Sequence, residues 1–123
     1  MAAVQNTQQK SPNSELMFEA YGAACDWFGL TKEEQAKILG VGRNTLHRNK
    51  SGFAETSKEF EIQVMFVLLY RSLYSLLGGN QLAMREWFAD HNNHLGAVPR
   101  ELCMRIKGLV HMNDYLDAMR GKA

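Results

Sequence analysis

The chain has 123 residues, 46% of them hydrophobic, and a formal net charge of +1. That length and apolar share suffice for one compact domain, or two small ones sharing a core, without disulfides or metal. The near-neutral balance excludes a polyanion binder that works by overall charge, so any nucleic-acid contact has to be local.

Leu and Met outweigh Val and Ile, and only two prolines occur. That bias favours helix over strand, and no alternating strand pattern or internal repeat stands against it. The expected fold class is all-α. The opening MAAVQNTQQK is polar and lacks the apolar centre of a signal peptide. No apolar run reaches the roughly 18 residues of a membrane span. The expected location is therefore the cytoplasm. Residues 1–12 read as a polar lead-in.

Ser11-Pro12 opens the first helix, with Met17, Ala20, Tyr21, Ala24, Trp27 and Phe28 recurring at helical steps and Gly29 ending it. Thr31 and Glu34 form a T-x-x-E capping box for the second, whose apolar side is Ala36, Ile38 and Leu39. Gly40-Val41-Gly42 breaks it, and a short helix follows from Arg43 to Lys50. Thr56 and Glu59 form another T-x-x-E box, opening the longest helix, which runs to Leu77. That helix is apolar nearly all round, which predicts a central place in the core or burial by a partner. Asn80 caps a helix from Gln81 to about Asp90. A polar turn, His91 to His94, precedes a short helix from Pro99 through Ile106. Gly108 then reads as a break before a last helix, Leu109 to Met119, with Val110, Tyr115, Leu116 and Met119 as its apolar side.

The segment around 31–50 carries the features of a helix-turn-helix. Two helices crossing at a tight turn need a small residue at the crossing, a turn glycine and apolar locks. Ala36, Gly40, Val41 and Leu46 supply them. The second helix would then present Arg43, Asn44, Thr45, His47 and Arg48 to a major groove, with Lys37 and Lys50 beside them for phosphates. Between Lys37 and Lys50 no acidic residue interrupts this basic stripe. The competing reading is a helical hairpin with a solvated basic face. The position three after Leu46 is usually apolar in such motifs; here it is Asn49.

At the level of whole segments, residues 27–52, WFGLTKEEQAKILGVGRNTLHRNKSG, resemble the Xre-type helix-turn-helix of the MbcA/ParS/Xre antitoxin family. Residues 83–121 resemble that family's C-terminal toxin-binding domain through Ala83, Trp87-Phe88, Asn92, Leu95-Gly96, Pro99, Leu102, Gly108-Leu109-Val110 and the closing YLDAMRG. The resemblance covers about residues 16–121. A tryptophan is common in the family where this chain has Asn49, and the Trp-to-Pro spacing is about one residue shorter than the family pattern. The resemblance implies an antitoxin of a type II pair. It would neutralise a RES-domain, NAD-depleting toxin with its C-terminal region and repress its own promoter through the helix-turn-helix. It would also form a homodimer and larger complexes with toxin. The implied organisation is a helix-turn-helix domain over 13–54 and a toxin-binding and dimerisation domain over 55–123.

Tyr115, Met119 and Arg120 fall at helical steps near the chain's end, and Gly121 and Lys122 extend beyond. A cationic tip such as Arg120 suits a pocket that otherwise accepts a dinucleotide phosphate. These five are the candidate toxin-contacting residues; a frayed helix end is the plainer alternative. Cys25 and Cys103 read as buried free thiols. His91, His94, His111 and Cys103 lack the spacing of a metal site, and Asp114 and Asp117 lack a partner base or nucleophile, so no metal, cofactor or catalytic residue is expected. Two other readings remain open in the sequence: a helix-turn-helix regulator with no toxin partner, and an interaction adaptor that has lost DNA binding.

Overall fold

The computed structural model describes residues 10–121. Lys122, and residues 1–9 of the expected lead-in, lie outside the described residues. Seven helices follow in order among them: α1 Pro12–Trp27, α2 Lys32–Ile38, α3 Arg43–Arg48, α4 Lys58–Leu76, α5 Gln81–Ala89, α6 Pro99–Leu102 and α7 Ile106–Met119. Beyond them the described residues hold one isolated bridge, Asn92 to Ala97. The fold is all-α.

Local signals start most of these helices where the sequence places them. Ser11 caps α1 in a reciprocal box with Ser14, and Pro12 occupies the first turn. Thr31 Oγ1 accepts from the Glu34 amide at 3.1 Å, while Glu34 Oε1 accepts from the Thr31 amide at 2.9 Å. Asn80 Oδ1 accepts from the Ala83 amide to start α5. Asn92 Oδ1 takes the amides of His94 and Leu95, tying the polar turn to itself.

Four expectations need correction. The cap of α4 is Ser57, not Thr56: Ser57 Oγ accepts from the Phe60 amide at 3.1 Å and donates to the Ala54 carbonyl at 2.6 Å. The preceding Phe53 and Ala54 are buried, and this anchors the chain so that Ser57 is the residue facing the open amides. The helix from Pro99 stops at Leu102, and Ile106 already belongs to α7. Gly108 is therefore no break. It sits buried inside α7, where a Cβ would lie 1.9 Å from the Leu102 carbonyl oxygen. Its bareness serves the close approach of α7 to α6, not a chain reversal. The apolar face of α7 is also rotated from the expected one. Leu109, Met112 and Leu116 are buried, whereas Val110 and Met119 are 43% and 56% exposed and Tyr115 is half-buried.

The core is one cluster drawn from every helix except the short α6, which contributes the half-buried Leu102. α4 is central, with α1 and α7 packed on it, as its nearly all-round apolarity predicts. Phe66 of α4, fully buried, meets Tyr21 of α1 and Phe28, which caps the end of α1, edge-on at ring-centroid distances of 5.5 and 5.9 Å and Phe88 of α5 at 6.3 Å. Phe28 and Phe88 stack at 4.4 Å. Two hydrogen bonds set α7 on α4. Asn113 Nδ2 donates to the Met65 carbonyl at 3.1 Å and Arg120 Nη1 donates to Ser72 Oγ at 2.9 Å, each across 48 residues. The constant offset makes the two helices parallel, with clasps one heptad apart.

The corner between α1 and α2 is held by side chains from the second half of the chain. Gln81 and Arg85 donate to the Trp27 carbonyl at 3.1 and 2.8 Å. Arg100 grips Glu34 with two donors, Nε to Oε2 at 2.9 Å and Nη2 to Oε1 at 2.6 Å. The Arg100 hydrogen bonds hold the Glu34 carboxyl down at about 2. A carboxylate lowered in the fold stabilises it above the ordinary carboxylate range and loses that contribution as pH falls toward the folded value. The pair's side chains are 33% and 26% exposed, so solvent screens it. Arg100→Ala is expected to cost about 1 kcal/mol at pH 7. The gap from wild type should close between about pH 4.5 and pH 2. Urea unfolding at pH 7, 4 and 2.5 checks this; a gap independent of pH would contradict it.

Candidate functional site

The crossing of α2 and α3 is built as the sequence reading requires. Ala36 is 1% exposed and lets the turn close; the Val41 amide donates to its carbonyl at 3.1 Å. Gly40 takes φ +73° in the turn, a conformation that costs an L side chain. Leu46, buried, locks α3 against the domain. From α1, Tyr21 Oη donates to the Gln35 carbonyl at 2.6 Å. The Gln35 amide donates to Asp26 Oδ1 and the Leu30 carbonyl, both at 3.0 Å, fastening α2 to its neighbours.

The expected DNA-contacting residues are exposed, except Thr45, which is half-buried. The structure sorts them into two groups. Arg43, His47 and Lys50 line a cleft toward α1. Lys37, Asn44 and Arg48 lie outside that cleft, and Arg48 Nη2 donates to Thr45 Oγ1 at 3.3 Å. Asn49, half-buried, does not act as an apolar lock. Its Nδ2 donates to the Thr45 carbonyl at 2.7 Å, closing the end of α3, and its Oδ1 accepts from Lys10 Nζ at 3.0 Å. Lys10 also reaches Ser51 Oγ at 3.3 Å. The recognition helix is thus seated by Leu46 and by this polar network; the sequence reading missed Lys10, whose partner lies 39 residues away.

The second surface lies along α4 and α7. A groove of about 750 Å³ runs between them, with Met65, Leu68 and Val110 as apolar lining and Arg71, Asp114 and Asp117 as charged lining. Leu68 is 48% exposed. Arg120 belongs to this groove and is half-buried, bonded to the buried Ser72. It is therefore anchored on α4 and not a free tip. Met119 and Gly121 are exposed, and Tyr115 stacks on His94 at 5.9 Å.

Cys25 and Cys103 are free and fully buried. Burial pushes the Cys103 thiol up to about 12 and the Cys25 thiol further, which leaves neither as a thiolate nucleophile at neutral pH. No group of three or more His, Cys, Asp or Glu among the described residues could hold a metal ion. No helix among them is long and apolar enough to cross a membrane.

This arrangement defines a helix-turn-helix protein whose reading unit is packed onto a second helical module. Residues 13–67 match the model of the antitoxin Xre-like helix-turn-helix domain, and residues 72–122 match that of the antitoxin Xre/MbcA/ParS C-terminal toxin-binding domain. The chain belongs to the MbcA/ParS/Xre antitoxin family. It is an antitoxin of a toxin–antitoxin pair, with a toxin as the partner of its C-terminal domain and DNA as that of its helix-turn-helix. No curated protein matches it.

Proposed function

We propose that this antitoxin neutralises a RES-domain, NAD-depleting toxin and represses its own operon from the cytoplasm. Residues 13–54 would serve the operator and residues 55–123 the toxin and a homodimer partner. Neither a metal nor a cofactor enters this scheme, and it contains no enzymatic step. The observation that carries the reading is the pairing, in one chain, of an exposed acid-free basic stripe over Lys37–Lys50 with a matched toxin-binding domain. Asn44 and Arg48 are proposed to reach base edges. Lys37, Arg43, Thr45, His47 and Lys50 would hold phosphates. Tyr115, Met119, Arg120, Gly121 and Lys122 are proposed to enter the toxin's pocket, Arg120 meeting the charge that a dinucleotide phosphate would occupy. That entry requires Arg120 to leave Ser72, at the expense of one hydrogen bond.

The deciding experiment is co-expression with the product of the neighbouring gene, which this reading expects to be a RES-domain protein. Growth should be rescued by the full chain and lost on deleting residues 119–123. Full rescue by the truncated chain would sink the tail assignment; absence of rescue by the full chain would sink the RES partner. For the operator, Arg48→Ala should weaken binding to the operon's own promoter by roughly tenfold, as loss of one bidentate base contact does. Wild-type binding should fall steeply with salt. A mobility shift that is absent at low salt would refute the repressor assignment.

A further inference from the structure

A cleft of about 300 Å³ opens between α1 and α3, at the low end of the range for small-molecule sites. Phe18 and Tyr21 of α1 and Leu46 of α3 give it an apolar floor. Lys32, Arg43, His47 and Lys50, all exposed, line it as well, and none of the described residues lining it is acidic. Gly22, in the middle of α1, also lines it. A glycine inside a helix costs roughly 0.5–1 kcal/mol relative to alanine. Where Gly108 meets backbone at 1.9 Å, a Cβ on Gly22 would meet nothing within 4 Å. Neither a turn nor a close approach requires this glycine; what its bare backbone leaves is room in the cleft.

We propose that this cleft binds a nucleoside monophosphate, an aromatic base joined through a sugar to a phosphate. The ring would lie against the half-buried Phe18, above the buried Tyr21 and Leu46, as bases do on aromatic side chains. The phosphate would sit on the cationic lining, where Arg43 and Lys32 supply charge-assisted donors. Arg43, His47 and Lys50 are also in the basic stripe, so an occupied cleft withdraws them from DNA phosphates; Asn44 and Arg48 stay outside it. The site stands on the cleft alone, and only its consequence for DNA rests on the repressor reading. A backbone phosphate of DNA offers the same anion, so the test separates the two sources.

The full chain, without DNA, is titrated calorimetrically with AMP, adenosine and inorganic phosphate. AMP should bind saturably, about tenfold or more tighter than either fragment, because ring and anion contribute together. Gly22→Leu sets a side chain into the cleft from a position where its Cβ meets nothing within 4 Å, so it should leave Tm undiminished and weaken AMP at least about tenfold. Lys32→Ala, off the recognition helix, should weaken AMP but not adenosine. The proposal is overturned by the absence of saturable AMP binding, by phosphate binding as well as AMP, or by an unchanged AMP affinity in Gly22→Leu. It is equally overturned if Gly22→Leu loses promoter binding while wild type ignores AMP, which would make the cleft a seat for DNA phosphate. Because AMP binding is read without DNA, failure of the repressor assignment leaves this result standing.

Discussion

Gly108→Ala is expected to lower the folding stability by roughly 3 kcal/mol or more, because the added methyl has nowhere to go. Its nearest neighbours would be the Leu102 carbonyl oxygen at 1.9 Å, the carbonyl carbon at 2.6 Å and the Cα at 3.0 Å. These are backbone atoms, which cannot swing aside as a side-chain tip does. Either α6 and α7 separate, or α7 slides on α4 and loses both the Asn113 and the Arg120 clasps. Thermal unfolding should show a Tm lower by roughly 10 °C. A melt within about 2 °C of wild type would mean that the two helices tolerate a looser junction than described.

Phe66→Ala should cost about 3–5 kcal/mol, the range for emptying a buried aromatic site. Phe66 is the point where α1, α4 and α5 share rings, so its loss acts on both family-matched segments at once. Urea unfolding followed by far-UV circular dichroism and by tryptophan fluorescence should give one coincident transition, in wild type and in variant, moved to lower urea in the variant. Two separated transitions would show that the helix-turn-helix and the toxin-binding segment fold as independent units, against the single buried cluster that joins them.

What the sequence made legible was what local chemistry decides. Ser11, Thr31 and Asn80 announce helix starts because the amides they cap lie three residues on. Ala36, Gly40, Val41 and Leu46 announce the helix crossing because its geometry leaves few alternatives at each spacing. The failures share one cause, a packing contact that the local pattern of residue types does not spell out. Gly108 read as a break because a glycine's reason was a backbone contact and not a turn. Ser57 displaced Thr56 because Phe53 and Ala54 sink into the core just before it. The apolar face of α7 was misjudged because Val110 and Leu109 are equally apolar, and only the seat of α7 on α4 chooses between them. In the candidate site, the basic stripe was legible, but its division between cleft and outer face was not, since that depends on where α1 lies. Arg120 could be picked out by its place at the end of a helix; its bond to Ser72, 48 residues back, could not.

The parallel setting of α7 on α4 has a consequence for how the two partners share the molecule. α4 begins at Lys58, after α3 in the chain, and Arg120 is clasped to it at Ser72. At 1.5 Å per residue those points are about 20 Å apart along the helix axis. If operator and toxin take the surfaces proposed above, a stiff helix keeps their contact points apart, and the two would not contend for the same space. Adding toxin to the promoter complex should slow the shifted band further, as a three-component assembly, and not release the DNA.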